Sequence, residues 1–160
     1  MKRSQSDEVM RIRAAIPDDR DTLFQIWLES VRATHTFLSE EDIQYFAPFV
    51  REYLASQSAQ FWVLCSHNGE TAGFIGLERN KIEALFLAPK FHRQGGGRLL
   101  VEFARRLRGE LTVDVNEQNT AACRFYEACG FIVEGRSALD SSGKPFPLVH
   151  MRLPGQPAIS

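Results

Sequence analysis

Apolar and polar positions alternate in two different periods along this chain, and the switches between them mark its elements. Residues 9–14 set Met10, Ile12 and Ala14 against Arg11 and Arg13, the period-two pattern of a half-buried strand. Pro17 followed by Asp18 and Asp19 opens a helix, with acids in its first turn. Its apolar stripe is Leu23, Ile26, Trp27 and Val31, ending near Thr34. Ser39-Glu40-Glu41-Asp42 resembles a capping box and starts a second helical stretch carrying Ile43, Phe46, Phe49, Val50, Tyr53 and Leu54. Pro48 falls inside it and predicts a break, or two short helices.

From Phe61 the period shortens. Residues 61–65 and 71–77 read as an antiparallel pair joined by His67-Asn68-Gly69-Glu70, in which Asn-Gly supplies hairpin chemistry. Arg79-Asn80 turns the chain into a strand over 82–87, closed by Pro89. Leu99, Leu100, Phe103, Ala104 and Leu107 then recur at helical spacing. LTVDV at 111–115 is a strand, 119–129 a helix stopped by Gly130, and strand resumes over 131–133. Ser141-Ser142-Gly143-Lys144 is a turn before a last strand at 148–153. The order β-α-α-β-β-β-α-β-α-β-β, with no internal repeat and no linker, describes one mixed α/β domain over 9–153. Residues 1–8 and 154–160 read as loose tails.

The densest chemistry lies in LFLAPKFHRQGGGRLL, residues 85–100. A strand runs into a basic turn, three glycines follow, and a helix begins. The first N–H groups of a helix have no partner inside it, and with the helix dipole they attract an anion. Missing side chains let a phosphate approach the backbone. No Gly-Lys-Ser/Thr follows, so this is not a nucleotide P-loop, and the spacing is not the dinucleotide fingerprint. A ligand-free glycine connection would give the same local pattern.

Composition narrows the classes. The 160 residues suit one domain, and 44% hydrophobic with 24% charged residues is ordinary for a globular chain. A net charge of −1 gives no overall field for nucleic acid or an anionic membrane. No apolar run approaches the ~20 residues of a spanning helix, and the polar N-terminus lacks a signal sequence. Three cysteines, Cys65, Cys123 and Cys129, make no disulfide framework and read as small hydrophobes. These features point to the cytoplasm. His67, His92 and His150 show no metal-ligand spacing with each other or the cysteines, so no metal is expected. Arg105, Arg106 and Arg108 read as a solvated helix face.

A second constellation is VDVNEQNTAACRFYEACGF, residues 113–131. Asn119 stands where a helix begins and can cap it. Phe125 and Tyr126 are neighbours on that helix, ~100° apart, so they point in different directions. Together the two constellations resemble the GCN5-related N-acetyltransferase (GNAT) family, over roughly residues 11–153. The family's Gln/Arg-x-x-Gly-x-Gly/Ala signature is filled by His92-Arg93-Gln94-Gly95-Gly96-Gly97. His92 departs from it, and the loop's work falls to the backbone. The later pattern is met by Asn119, Tyr126 and Gly130-Phe131.

The resemblance implies a GNAT fold: one mixed, mostly antiparallel sheet with a splayed central strand pair and flanking helices. It implies acetyl-coenzyme A as cosubstrate and a primary amine as acceptor, either a protein lysine or N-terminal amine, or a small amine. Leu85, Phe86 and Leu87 would offer backbone groups to the acetyl and pantetheine part. Arg93, Gln94, Gly95, Gly96, Gly97 and Arg98 would hold the pyrophosphate, and Asn119 the pantetheine arm. Tyr126 would stand near the thioester sulfur as general acid. A base helps a lysine acceptor, of which roughly one in 2,500 is neutral at pH 7. Asp114, Glu83 and Glu78 are candidates, and alternation sets Glu83 on the side of Leu85 and Leu87. His35 and Phe37 lie where relatives build the acceptor side; His35 binds an acceptor, relays a proton or packs the loop. A non-catalytic acyl-CoA-binding regulatory module is the alternative, though it has no need of Tyr126. Monomer and homodimer both remain open.

Overall fold

The computed structural model describes residues 10–155. The elements are β1 (Arg11–Ala14), α1 (Arg20–Thr34), α2 (Glu40–Ala55), β2 (Gln60–Cys65), β3 (Thr71–Glu78) and β4 (Lys81–Leu87), then α3 (Gly96–Arg108), β5 (Leu111–Asn116), α4 (Thr120–Ala128), β6 (Ile132–Ser137) and β7 (Leu148–Leu153). Val9 and the tail residues 1–8 and 156–160 lie outside the described residues. The seven strands form one sheet in the order β1-β2-β3-β4-β5-β7-β6. All neighbours are antiparallel except β4 and β5.

Helices cover both faces. Leu100, Val101 and Ala104 of α3 and Tyr126 and Cys129 at α4 pack on Leu64, Ile75, Ile82, Val113, Val115 and Met151. Leu23, Phe24, Trp27 and Val31 of α1, with Ile43 and Leu54 of α2, pack on Val63 and Phe74, with Ala84 and Phe86 against them. Leu99 and Leu107, read from the sequence as part of the buried stripe of α3, are exposed. The buried set is Gly96, Leu100, Val101 and Ala104, one helical face at i, i+4, i+5, i+8.

Three further expectations are corrected. Pro48 does not break α2, which runs unbroken through it. Proline removes one backbone donor, and here both Pro48 and Gln44, whose carbonyl it leaves, are exposed, so the lost bond falls on the solvent side of the helix. The opposite face keeps the helix seated, and Ser39 and Asp42 close a reciprocal capping box at its start. The strand expected over 131–133 runs on to Ser137. The arginines of α3 are not merely solvated: Arg105 donates to Pro154 O at 2.9 and 3.2 Å, and Arg108 donates to Arg79 O at 3.0 Å and to Gln60.

Candidate active site in the fork between β4 and β5

The central parallel pair is joined only at Lys81↔Thr112 and Ile82↔Val113. Beyond that β4 continues five residues to Leu87 and β5 three to Asn116, without pairing to each other. The sheet is therefore forked, and one flank of β4 has no strand beside it. The register tells which groups face the gap. Gly73↔Leu87, Phe74↔Phe86 and Ile75↔Leu85 are opposite, and Ala88 N donates to Ala72 O at 2.8 Å. In an antiparallel ladder, residues whose backbone bonds to the partner alternate with residues whose backbone turns away. Ala88 bonds to β3, so Phe86 does too, and Leu85 and Leu87 present their N–H and C=O to the fork. Phe86, expected among the ligand-binding backbone groups, is thus corrected: its groups are used by β3, and its ring packs on Phe74 at 5.8 Å. His92 Nε2 donates to Leu87 O at 2.9 Å, which ties the basic turn to the end of β4. The residue that departs from the family signature therefore has a side-chain role.

The glycine turn meets the mouth of the fork. Arg93 and Gly95 both have positive φ, +62° and +83°, so the chain enters α3 through left-handed backbone. Gly95 has open space around it, and its requirement is the dihedral. Gly96 needs close approach instead: a Cβ there would lie 2.7 Å from Leu64 Cδ2 and 2.8 Å from Leu87 Cδ1. Gly96 seats the helix start against β4, and the N–H groups of Gly96, Gly97 and Arg98, ahead of the first helical bond from Leu99 N to Gly95 O, have no partner inside the helix. Gln94 Nε2 donates to Lys90 O at 3.1 Å and Arg98 to Ala128 O at 3.4 Å, so both side chains brace the turn.

Tyr126 and Asn119 flank β5. Tyr126 is 7% exposed, its ring in T-shaped contact with Phe125 and Phe131, each at 5.1 Å. Burial pushes its phenol well above the usual range, so it stays protonated at neutral pH. Asn119 caps α4, accepting from Ala122 N at 3.0 Å through Oδ1. Its Nδ2 donates to His35 Nε2 at 3.2 Å. That direction is fixed by the other ring nitrogen. Thr34 has one hydroxyl proton, given to Ser30 O at 2.7 Å, so His35 Nδ1 is the donor in their 2.9 Å contact. Burial pushes His35 down to about 4, which keeps it neutral. With both nitrogens engaged, His35 holds the acceptor-side loop to the start of α4 rather than carrying a proton. One N–H of Asn119 stays uncommitted.

An aromatic rim continues from there. His35 meets Phe37 at 5.3 Å, and Phe146 meets both Phe37 and Phe46, at 6.3 and 6.2 Å. Lys144 stands over the Tyr45 ring at 4.0 Å. The α1–α2 and β6–β7 connections thus face each other across the α1/α2 side of the fork.

The candidate bases sort differently from expectation. Gly76 pairs with Ala84 and Leu77 with Ile82, so Glu83 is the extra residue of a bulge. Ile82, Leu85 and Leu87 pack in the same α3/α4 core, and the bulge resets the alternation. Glu83 lies instead near Tyr53 of α2, whose phenol is pushed up by burial and by the charges of Glu83 and Glu78. Glu78 is exposed at the closed end of the fork, opposite Lys81. Asp114 bonds His150 Nδ1 at 2.6 Å and Lys81 Nζ at 2.9 Å; burial would raise it, but these two partners hold it below the usual carboxylate range. His150, its Nε2 2.6 Å from Ser137 Oγ, was missed in the sequence. The signal was one polar residue inside an apolar strand in both VDV and VHM.

Among the described residues no group of three or more His, Cys, Asp and Glu is placed to hold a metal ion, and no helix is long and apolar enough to cross a membrane. A separate groove of about 460 Å³ lies between α4 and the β6–β7 pair, lined by residues such as Glu117, Glu127 and Met151, and touches neither β4 nor the glycine turn.

Comparison with known proteins places this geometry. The acetyltransferase (GNAT) domain model matches residues 34–153. Peptidyl-lysine N-acetyltransferase YjaB of Escherichia coli is 40% identical over 147 residues, 92% of this chain and 99% of that protein. The solution structure of apo YjaB from Escherichia coli superposes with a TM-score of 0.84 over the same shares. The PaiA N-acetyltransferase of Thermoplasma acidophilum, solved with coenzyme A, is 25% identical with a TM-score of 0.74, covering 91% of this chain and 99% of that one.

Proposed function

The chain belongs to the GNAT acetyltransferase family, and from that membership we propose that it transfers acetyl from acetyl-CoA to the side-chain amine of a lysine in a polypeptide. The observation that carries this reading is the fork, with the N–H and C=O of Leu85 and the N–H of Leu87 unpaired towards a space that ends at the glycine turn. An amide-bearing pantetheine arm fits there as a substitute strand. Arg93 and the N–H groups of Gly95, Gly96, Gly97 and Arg98 receive the pyrophosphate. The free N–H of Asn119 meets the arm from the β5 side.

The amine reaches the thioester from the α1/α2 face, past the aromatic rim of Phe37, Phe46 and Phe146. It attacks the carbonyl carbon, and a fork-facing N–H of Leu85 or Leu87 stabilises the oxyanion. Tyr126 lies on the other face of β5, in the α3/α4 layer, and donates to the sulfur as the C–S bond breaks. Attack and departure therefore use opposite faces of the sheet. A lysine acceptor agrees with the named activity of the relatives. A pure binding module leaves the protonated, core-held Tyr126 unexplained.

The test is acetyl-CoA consumption over a panel of lysine peptides, peptides with free N-termini and small amines. The expected result is turnover with internal lysines. Turnover confined to small amines would refute the peptide-lysine reading.

A further inference from the structure

Asp114, His150 and Ser137 form a hydrogen-bonded line across three adjacent strands, β5, β7 and β6. Val113 and Val115 point into the α3/α4 core, so Asp114 between them points to the acceptor face. It is also the first β5 residue past the last pair with β4. Met151 and Val149 likewise belong to the core side, which sets His150 on the acceptor face. Ser137 lies opposite Leu148, level with Asn116 at the open end of the fork, where the β6–β7 connection departs.

The line has a defined polarity. A carboxylate only accepts, so His150 Nδ1 carries the proton given to Asp114. In the neutral imidazole Nε2 is then the acceptor, and Ser137 Oγ donates to it. Lys81 holds Asp114 from the other side at 2.9 Å and reaches Glu83 at 3.4 Å. A carboxylate so occupied is a weak base and a good anchor. The remaining charge on this face of β7, Arg152, is taken up by Glu134 and Glu110, at 2.6 and 3.0 Å. The basic lone pair of the line is that of His150 Nε2, which accepts from the Ser137 hydroxyl.

We propose that His150, oriented by Asp114, is the base that neutralises the acceptor lysine, with Ser137 passing the proton to it. The proposal rests on the transferase reading above. As the ammonium arrives at the rim, its proton moves to Ser137 Oγ while the Ser137 proton moves to His150 Nε2. The imidazolium is stabilised by Asp114. The neutral amine then attacks, the C–N bond forms, and the C–S electron pair goes to sulfur. The nitrogen sheds a second proton as the amide forms. That proton and the one held by His150 pass to solvent, the Tyr126 phenolate takes one back after protonating the thiolate, and one proton is released per turnover.

The experiment compares two acceptors, a lysine peptide and an amine of low pKa that is already neutral at pH 7, in wild type, His150→Gln and Ser137→Ala. With lysine, His150→Gln should lose about 10²-fold in kcat/KM at pH 7 and recover roughly tenfold per pH unit towards pH 10. With the low-pKa amine it should stay within about threefold of wild type, because base catalysis typically worth ~10²–10⁴-fold is not needed there. Ser137→Ala should show the same split, and calorimetric acetyl-CoA affinity should be unchanged in both variants. Equal losses with both acceptors, or none with either, would overturn the proposal. So would a +42 Da adduct on Ser137, which would make the serine a nucleophile. Wild type acting on the low-pKa amine alone would also sink the relay while leaving the transferase; activity on neither amine would sink the transferase reading itself.

Discussion

Tyr126→Phe removes one oxygen from the centre of the account. The ring is packed on Phe125 and Phe131 and lies in the α3/α4 core, and phenylalanine keeps all of that contact. The structure shows no hydrogen bond from this hydroxyl to another described residue, so its loss breaks no internal bond. Stability should change by less than about 1 kcal/mol, within the ordinary range for a conservative core change. Coenzyme affinity should hold, since the grip assigned to the fork comes from backbone. The effect should fall on kcat. General-acid assistance is typically worth ~10²–10⁴-fold, or about 3–5 kcal/mol of transition-state stabilisation. The assay is steady-state acetyl transfer to a lysine peptide, with single-turnover kinetics to show that chemistry limits the rate. A drop in kcat of that order with KM nearly constant is expected. An unchanged single-turnover rate would remove Tyr126 from the mechanism, and a loss confined to KM would make the hydroxyl a binding group.

The adjacent glycines should fail differently. Gly95→Ala should weaken acetyl-CoA binding through left-handed strain of about 1–2 kcal/mol in the turn, whereas Gly96→Ala should lower the melting temperature by overpacking Leu64 and Leu87, at roughly 1–3 kcal/mol. Calorimetry and thermal unfolding separate the two, and equal effects of both variants on binding alone would contradict the assignment. Pro48→Ala should stabilise the protein by about 1–3 kcal/mol, because it restores a helical donor at an exposed site; denaturant unfolding with no gain would mean the proline is compensated in α2. His35 makes stability depend on pH. Its proton affinity is lower folded, about 4, than unfolded, near the usual 6.5, so the unfolded chain binds more protons between those values. Stability is full above about pH 6.5 and falls as pH drops towards 4, by at most roughly 3 kcal/mol. His35→Gln should flatten that stretch of the profile relative to wild type, and parallel profiles would refute it.

The sequence carried the layout well where periodicity was clean. LTVDV, the Asn-Gly hairpin and the Asn119 cap each dictate local geometry from adjacent residues, and each stands in the structure. The glycine signature, read with Asn119 and Tyr126, led to the family. What escaped were facts set by pairing between distant strands. The Glu83 bulge inverts which face a side chain takes, and nothing near residue 83 announces it. Phe86 lost its assigned role because strand register alone decides which residues turn their backbone to the fork. Asp114 and His150 are 36 positions apart and meet only because β7 inserts between β5 and β6. Pro48 misled because a propensity rule ignores that its orphaned carbonyl faces water.

The central claim is that acetyl-CoA takes the place of a missing strand beside β4. Amide chemical-shift mapping of the ¹⁵N-labelled protein during an acetyl-CoA titration tests it most directly. The largest changes should fall on Leu85, Leu87, Gly95, Gly96, Gly97 and Arg98, with Phe86, locked to β3, shifting less, and the stoichiometry should be one per chain. Saturable shifts centred on Glu117, Glu127 and Met151, in the groove beneath α4, with the fork silent, would contradict the account.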